Sequence, residues 1–175
     1  MGLGAADFLH HNRCIYIYRH MRDSTHASSR PVVALPCLCA SLRRSTRAVT
    51  HLYEEALRPF GLRATQFTIL QALERTGEIT QGALGELLAI DSTTLTRTLH
   101  IMRRNGWIAE RPGEDRRERW LRLGKAGREL VARATPAWEK TQSQLAQKLG
   151  EGTWHRLFTL TGELTSLAQS QGDLS

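Results

Sequence analysis

The chain has 175 residues, enough for one domain or one domain with an accessory element. Lysine and arginine number 24 against 17 aspartate and glutamate, a formal charge of +7, which favours a polyanionic partner. Cys14, Cys37 and Cys39 make no CxxC, there is no HExxH, and no apolar run approaches the roughly 20 residues of a membrane span, so metal, disulfide and membrane classes are set aside.

Residues 1–36 are rich in His, Ser and Arg, lack clean periodicity and carry Pro31 and Pro36, which predicts a disordered N-terminal arm. Met21 is an alternative translation start. The first 20 residues have no uninterrupted apolar stretch of a secretory signal, so a reducing, cytoplasmic setting is expected. From Cys37 the pattern turns helical, with Leu38, Leu42, Val49, Leu52, Tyr53, Ala56 and Leu57 ending at Pro59 and Gly61. Thr65 is expected to cap a second helix carrying Phe67, Ile69, Leu70 and Leu73, which Gly77 closes. Glu78-Ile79-Thr80 reads as a short strand, and Thr80 or Gln81 opens a third helix with Leu84, Leu87 and Leu88.

The stretch DSTTLTRTLHIMRRNGWIAERPGEDRRERWLRL, residues 91–123, is the most informative. Asp91 can cap a helix that carries Thr94, Leu95, Thr98, Leu99 and Met102 at helical spacing until Gly106 stops it. The third and fourth helices together have helix-turn-helix spacing. Two strand-like runs, Trp107–Arg111 and Arg119–Leu123, then flank a turn holding Pro112, Gly113, Asp115, Arg116 and Arg117. A helix suited to a major groove beside an arginine-tipped hairpin suited to a minor groove can grip duplex DNA.

In the fourth helix Ser92, Thr93, Thr94, Thr96 and Arg97 fall in the first two turns, where small hydroxyls allow close approach to phosphates and base edges. Simple capping is the other use for Ser92 to Thr94. Arg97 can fork onto guanine O6 and N7, and His100 with Arg103 or Arg104 would meet phosphates further along. Arg117 is the candidate for minor-groove insertion, with Arg116 and Arg119 on flanking phosphates or as a plain solvated charge run. Asp115 would repel phosphate, so its expected task is to hold Arg117 or Arg97. Residues 97–122 hold eight arginines and four acids, net +4, whereas 145–175 are net −1, so positive charge concentrates on the presumed DNA face.

After the hairpin, a long helix from Gly124 to about Leu149 is expected to break or bend near Pro136, and Gly150-Glu151-Gly152 to form a turn. A last helix carries Trp154, Leu157, Phe158, Leu160, Leu164 and Leu167. The first and last two helices hold more apolar surface than a small lobe can cover, which points to pairing with a second copy. Cys39 lies near the start of the first helix with Arg43 one turn on, and a helix N-terminus and a guanidinium both favour the reactive form of a thiol. A small buried cysteine packed as a hydrophobe is the alternative.

Over residues 38–168 the chain resembles MarR-type winged-helix transcriptional regulators. The resemblance rests on GLRATQFTIL at 61–70, on ITQGALGELLAIDSTTLTRTLHIMRRNGWI at 79–108, and on the wing DRRERWLRLGKAG at 115–127. In that wing Asp115, Arg117, Leu123 and Gly127 keep the family's order and spacing, while Gly124 stands where the family usually has a capping Thr. Cys39 and Tyr53 also share the fourteen-residue spacing of the family's organic-hydroperoxide sensors, although Ala64 replaces those sensors' second tyrosine. The family's other signal is a small aromatic acid or phenol, for which Arg43, Tyr53 and Trp138 could line a pocket.

The resemblance and the residue pattern together imply a mainly α fold with a small β-wing. Residues 61–124 form the winged helix-turn-helix lobe, and 37–60 with 125–170 supply dimerisation helices. The implied function is a homodimeric repressor, without cofactor, metal or catalysis, released by a small aromatic or oxidant effector. Helix 91–105 would enter the major groove and wing 107–123 the minor groove of a pseudo-palindromic operator. The alternative is a winged-helix protein-interaction module that does not read DNA sequence.

Overall fold

A computed structural model describes residues 37–115 and 118–172. The expected N-terminal arm, 1–36, lies outside the described residues. The chain divides into two compact units, 1–50 and 51–175. Helix α1, Leu38–Leu57, crosses that division. In the first unit Leu38 and Val49 are exposed, and Arg43 Nη2 reaches Cys39 Sγ at 3.8 Å.

The second unit follows in the order 3-10 turn Arg58–Phe60, α2 Ala64–Thr76, β1 Glu78–Thr80, α3 Gln81–Leu88, α4 Ser92–Arg104, β2 Ile108–Pro112, β3 Arg119–Leu123, α5 Lys125–Leu149 and α6 Glu151–Gly172. Its core joins Leu57 and Leu62 to the inner faces of α2 (Phe67, Ile69, Leu70, Leu73), α3 (Leu84), α4 (Leu95, Leu99, Met102), the sheet (Ile108, Leu121, Leu123) and the start of α5 (Leu130, Val131, Ala134). These are the apolar positions that the helical and alternating periods select.

Several boundaries follow from local chemistry. The first helix ends as expected, with Pro59 in the 3-10 turn and Gly61 at φ 67°, a left-handed value that suits glycine. Helix α2 begins two residues earlier than expected: Arg63, not Thr65, is its N-cap, and Gln66 Oε1 accepts from the Arg63 amide at 2.9 Å. Thr80 caps α3, its hydroxyl accepting from Ala83 N at 3.2 Å. Gly77 ends α2 at φ 73°, and Gly106 turns the chain at φ 67° after α4.

The wing differs from a two-stranded hairpin. Its sheet has three strands in the order β1-β3-β2, antiparallel, with Ile79 opposite Leu121 and Leu121 opposite Glu110. Pro112 belongs to β2, opposite Arg119, instead of to the turn. It is tolerated there because β2 is an edge strand with no neighbour on its far side. Trp107 precedes β2 and is held by another contact: its carbonyl accepts from Gly124 N at 2.9 Å.

A Cβ at Gly127 would collide with that same Trp107 carbonyl, and one at Gly124 with the Gly106 carbonyl. So close an approach of α5 to the chain after α4 requires glycine at both places. This accounts for Gly124, which caps α5 with no side-chain bond. Helix α5 runs unbroken through Pro136. The expected turn after it shrinks to Gly150, at φ 77°, because Glu151 and Gly152 already belong to α6.

Candidate nucleic-acid interface

Helix α4 is built to bury one side and present the other. Leu95, Leu99 and Met102 recur at four and three residues and are at most 1% exposed. Ser92, Thr93, Thr94, Thr96, Arg97 and His100 are all exposed on the remaining surface. Asp91 starts the helix: its Oδ1 accepts from Thr94 N at 2.9 Å. Bonds from the Thr94 side chain, and then from its amide, hold the Asp91 carboxyl below its usual range. Thr94 thus gives its amide to the cap, the capping use expected for this cluster.

The turn between α3 and α4 is tight. Ala89 takes the left-handed conformation at φ 50°. A Cβ on Gly85 would sit 3.3 Å from both Ile90 O and a methyl of Leu95. Gly85 thus sets how closely α3 and the start of α4 approach. A second tie joins these helices through side chains: Gln81 Nε2 donates to Thr96 Oγ1 at 3.0 Å.

Glu110 organises the junction between α4 and the wing. Its carboxylate pairs with Arg103, from the last turn of α4, and with Arg119 Nε at 3.5 Å. Arg103 and Arg119 thus have protein partners, and neither is a free cation waiting on a surface. On the other face of the sheet Arg111 forks onto Glu78, Nε to Oε1 at 2.9 Å and Nη2 to Oε2 at 2.6 Å. The same guanidinium lies 5.2 Å from the centre of the Trp120 ring. The hydrogen bond from Arg111 holds the Glu78 carboxyl below its usual range.

At the wing tip, Asp115 O accepts from Glu118 N at 2.9 Å and Gly113 N donates to Glu118 O at 3.1 Å. Arg116 and Arg117 lie outside the described residues. Among the described residues no ion pair involves Arg97, so Asp115 does not hold it.

Cys39 is exposed and near Arg43. Tyr53 and Trp138 belong to the second unit, half-buried against its core. Burial pushes the Tyr53 hydroxyl up from its ordinary value. Trp138 packs on Phe67 with ring centres 6.0 Å apart. Among the described residues no three His, Cys, Asp or Glu gather closely enough to hold a metal ion, and no helix is long and apolar enough to cross a membrane.

Sequence reasoning missed Gln81, Glu78 and Glu110. Each acts on a residue 15 to 33 positions away or across strands, and no spacing rule spans such a separation. Their only sequence signal is that a polar residue stands beside an expected helix start or in an otherwise arginine-rich hairpin.

A capped, half-buried helix set against a three-stranded sheet defines a winged helix-turn-helix protein. The sequence profile of the MarR family matches residues 60–118. The transcriptional regulator MosR of M. tuberculosis, solved in complex with DNA, has 32% identity, with 77% of this chain and 97% of that one covered at a TM-score of 0.70. The chain belongs to the MarR family of transcriptional regulators. It is also similar to the helix-turn-helix-type regulator YwoH of Bacillus subtilis, 35% identical over 88 residues that span 50% of this chain and 64% of that relative. A MarR variant from E. coli bound to operator DNA shares the fold at 22% identity and a TM-score of 0.67, covering 73% of this chain and 92% of that one.

Proposed function

We propose that the chain is a homodimeric, cytoplasmic repressor that reads a pseudo-palindromic operator with α4 in the major groove and the wing in the minor groove. The observation that carries this reading is the exposed polar side of α4, where Ser92, Thr93, Thr96, Arg97 and His100 stand over a fully buried apolar side. Among the described residues no ion pair uses Arg97, and a guanidinium there suits guanine O6 and N7. In the wing sequence Arg116 and Arg117 would supply the charge for the minor-groove contact. Arg103 and Arg119 act chiefly by fixing the wing to α4 through Glu110.

Pairing with a second copy is supported by α6. Among its described residues none is fully buried, and Leu157, Phe158, Leu160 and Leu167 are 46–64% exposed. Two recognition helices then stand about one helical turn of DNA apart. The signal that releases the operator is an oxidant acting at Cys39 or a small aromatic acid. Exposure of the Cys39 thiol beside Arg43 favours the first.

The test is a gel-shift titration against the protein's own upstream region, with the dimer verified by sedimentation. Arg97→Ala and Arg117→Ala should each lose tight binding while remaining dimeric. Unchanged affinity in both variants overturns the assignment of α4 and the wing. In the same assay, organic peroxide should release parent protein but not Cys39→Ser, and equal release rules out that thiol as the sensor.

A further inference from the structure

Threonines inside helices usually turn their hydroxyl back on the carbonyl four residues earlier. Thr98 does so here, donating to Thr94 O at 2.8 Å, as do Thr68, Thr76 and Thr135 in the neighbouring helices. Thr96 does not. Its oxygen accepts from Gln81 Nε2 at 3.0 Å, from the first residue of α3. Both residues belong to the same compact unit, and Thr96 is exposed on the polar side of α4, one residue before Arg97.

A hydroxyl has one proton to give and lone pairs to receive. Where an amide N–H occupies one of those lone pairs, the proton is not spent on that neighbour and is free to be donated outward. Gln81 is the first residue of α3, directly after the Thr80 cap, so this partner of Thr96 comes from outside the recognition helix. We infer that Gln81 is a specificity-setting residue: it makes Thr96 a hydrogen-bond donor to the major groove, so that α4 selects a base acceptor at that step of the operator. This rests on the proposed reading of α4 as the recognition helix.

The chemistry of the major groove makes the inference discriminating. Purine N7, guanine O6 and thymine O4 are acceptors, whereas cytosine offers only its N4 amino group there. A donating Thr96 therefore disfavours cytosine on the contacted strand. If the bond were reversed, so that Thr96 donated to its neighbour, the exposed lone pairs would favour cytosine N4 or adenine N6 instead. Glutamate at position 81 would impose that reversal, because a carboxylate can only accept.

The experiment is selection of duplexes from a randomised pool by the full-length dimer, read as base preference at each position. Parent protein should enrich a palindromic site in which one symmetry-related pair of positions excludes cytosine about tenfold, near the low end of what one base contact is worth. Thr96→Val should abolish preference at that pair and leave the other positions unchanged. Gln81→Ala should weaken preference at the same pair. Gln81→Glu should invert it toward cytosine or adenine, whatever its overall affinity.

A merely structural role for Gln81 would lower affinity without moving the preference at one pair. Parent-like preferences in Gln81→Ala and Gln81→Glu, with Thr96→Val altered, overturn the inference while leaving the proposed function standing. A parent dimer that enriches no sequence overturns the recognition-helix reading, and the inference with it.

Discussion

Helices α4 and α6 face opposite demands. Helix α4 hides Leu95, Leu99 and Met102 and turns hydroxyls, a histidine and Arg97 outward. Helix α6 has no fully buried residue among those described and turns leucines and a phenylalanine outward, with Trp154 and Phe158 in edge contact at 5.0 Å. The first helix is complete as a folded element and lacks only a polar partner. The second is incomplete as a folded element, because exposed apolar surface of this size is costly in water. One helix is thus suited to a nucleic acid and the other to a second copy of the chain, and no side chain has to serve both.

The largest expected effect lies at the buried side of α4. Leu99→Ala should destabilise the chain by about 3 kcal/mol, within the range for a buried leucine in a packed core. Urea denaturation checks it, and a loss under about 1 kcal/mol would mean that α4 is not anchored as described. Placing charge on α6 should spare stability of the lobe and break the assembly. Phe158→Asp with Leu160→Asp should yield monomers by sedimentation and lower operator affinity by about a hundredfold or more, as expected when two linked binding events become one.

Smaller effects sharpen the comparison within the DNA-facing half. Arg97→Ala should cost roughly tenfold to a hundredfold in operator affinity with no change in dimerisation or urea midpoint. Glu110→Gln removes the shared partner of Arg103 and Arg119, whose side chains are 33% and 47% exposed. Pairs so open to solvent are worth at most about 1 kcal/mol, so affinity should fall by no more than about fivefold. A larger fall would give Glu110 a role in binding beyond holding the wing.

The smallest effect is in acid. Glu78 and Asp91 have carboxyls held below their ordinary values, by Arg111 and by Thr94 respectively. A lowered folded-state pKa stabilises above the unfolded value, and that contribution disappears as pH falls through the folded one. The double variant Glu78→Gln with Asp91→Asn should therefore lose less stability than parent on going from neutral pH to below about pH 4. Melting temperatures measured across that range check it, and parallel curves would show that neither carboxylate matters to the fold.

Much of this was legible along the chain. Asp91 as a cap, the glycine stops at 61, 77 and 106, and the buried stripe of α4 are decided by neighbours within one or two helical turns. So is the resemblance of the wing, because Asp115, Leu123 and Gly127 keep a spacing that the hairpin itself imposes. One misjudged boundary had a tertiary cause: Pro112 could join a strand because β2 became an edge.

What the sequence determined alone was the set of elements and which side of each is apolar, since both follow from local bonds and helical or alternating period. Tertiary structure decided which residues meet. It brought β1 onto β3, gave Arg103 and Arg119 one carboxylate to share, and set Gln81 against Thr96. It also showed that Gly124 and Gly127 are required by the approach of α5 to Gly106 and Trp107. Those pairings depend on the packing of the core, which places distant segments side by side, and no local spacing contains that information.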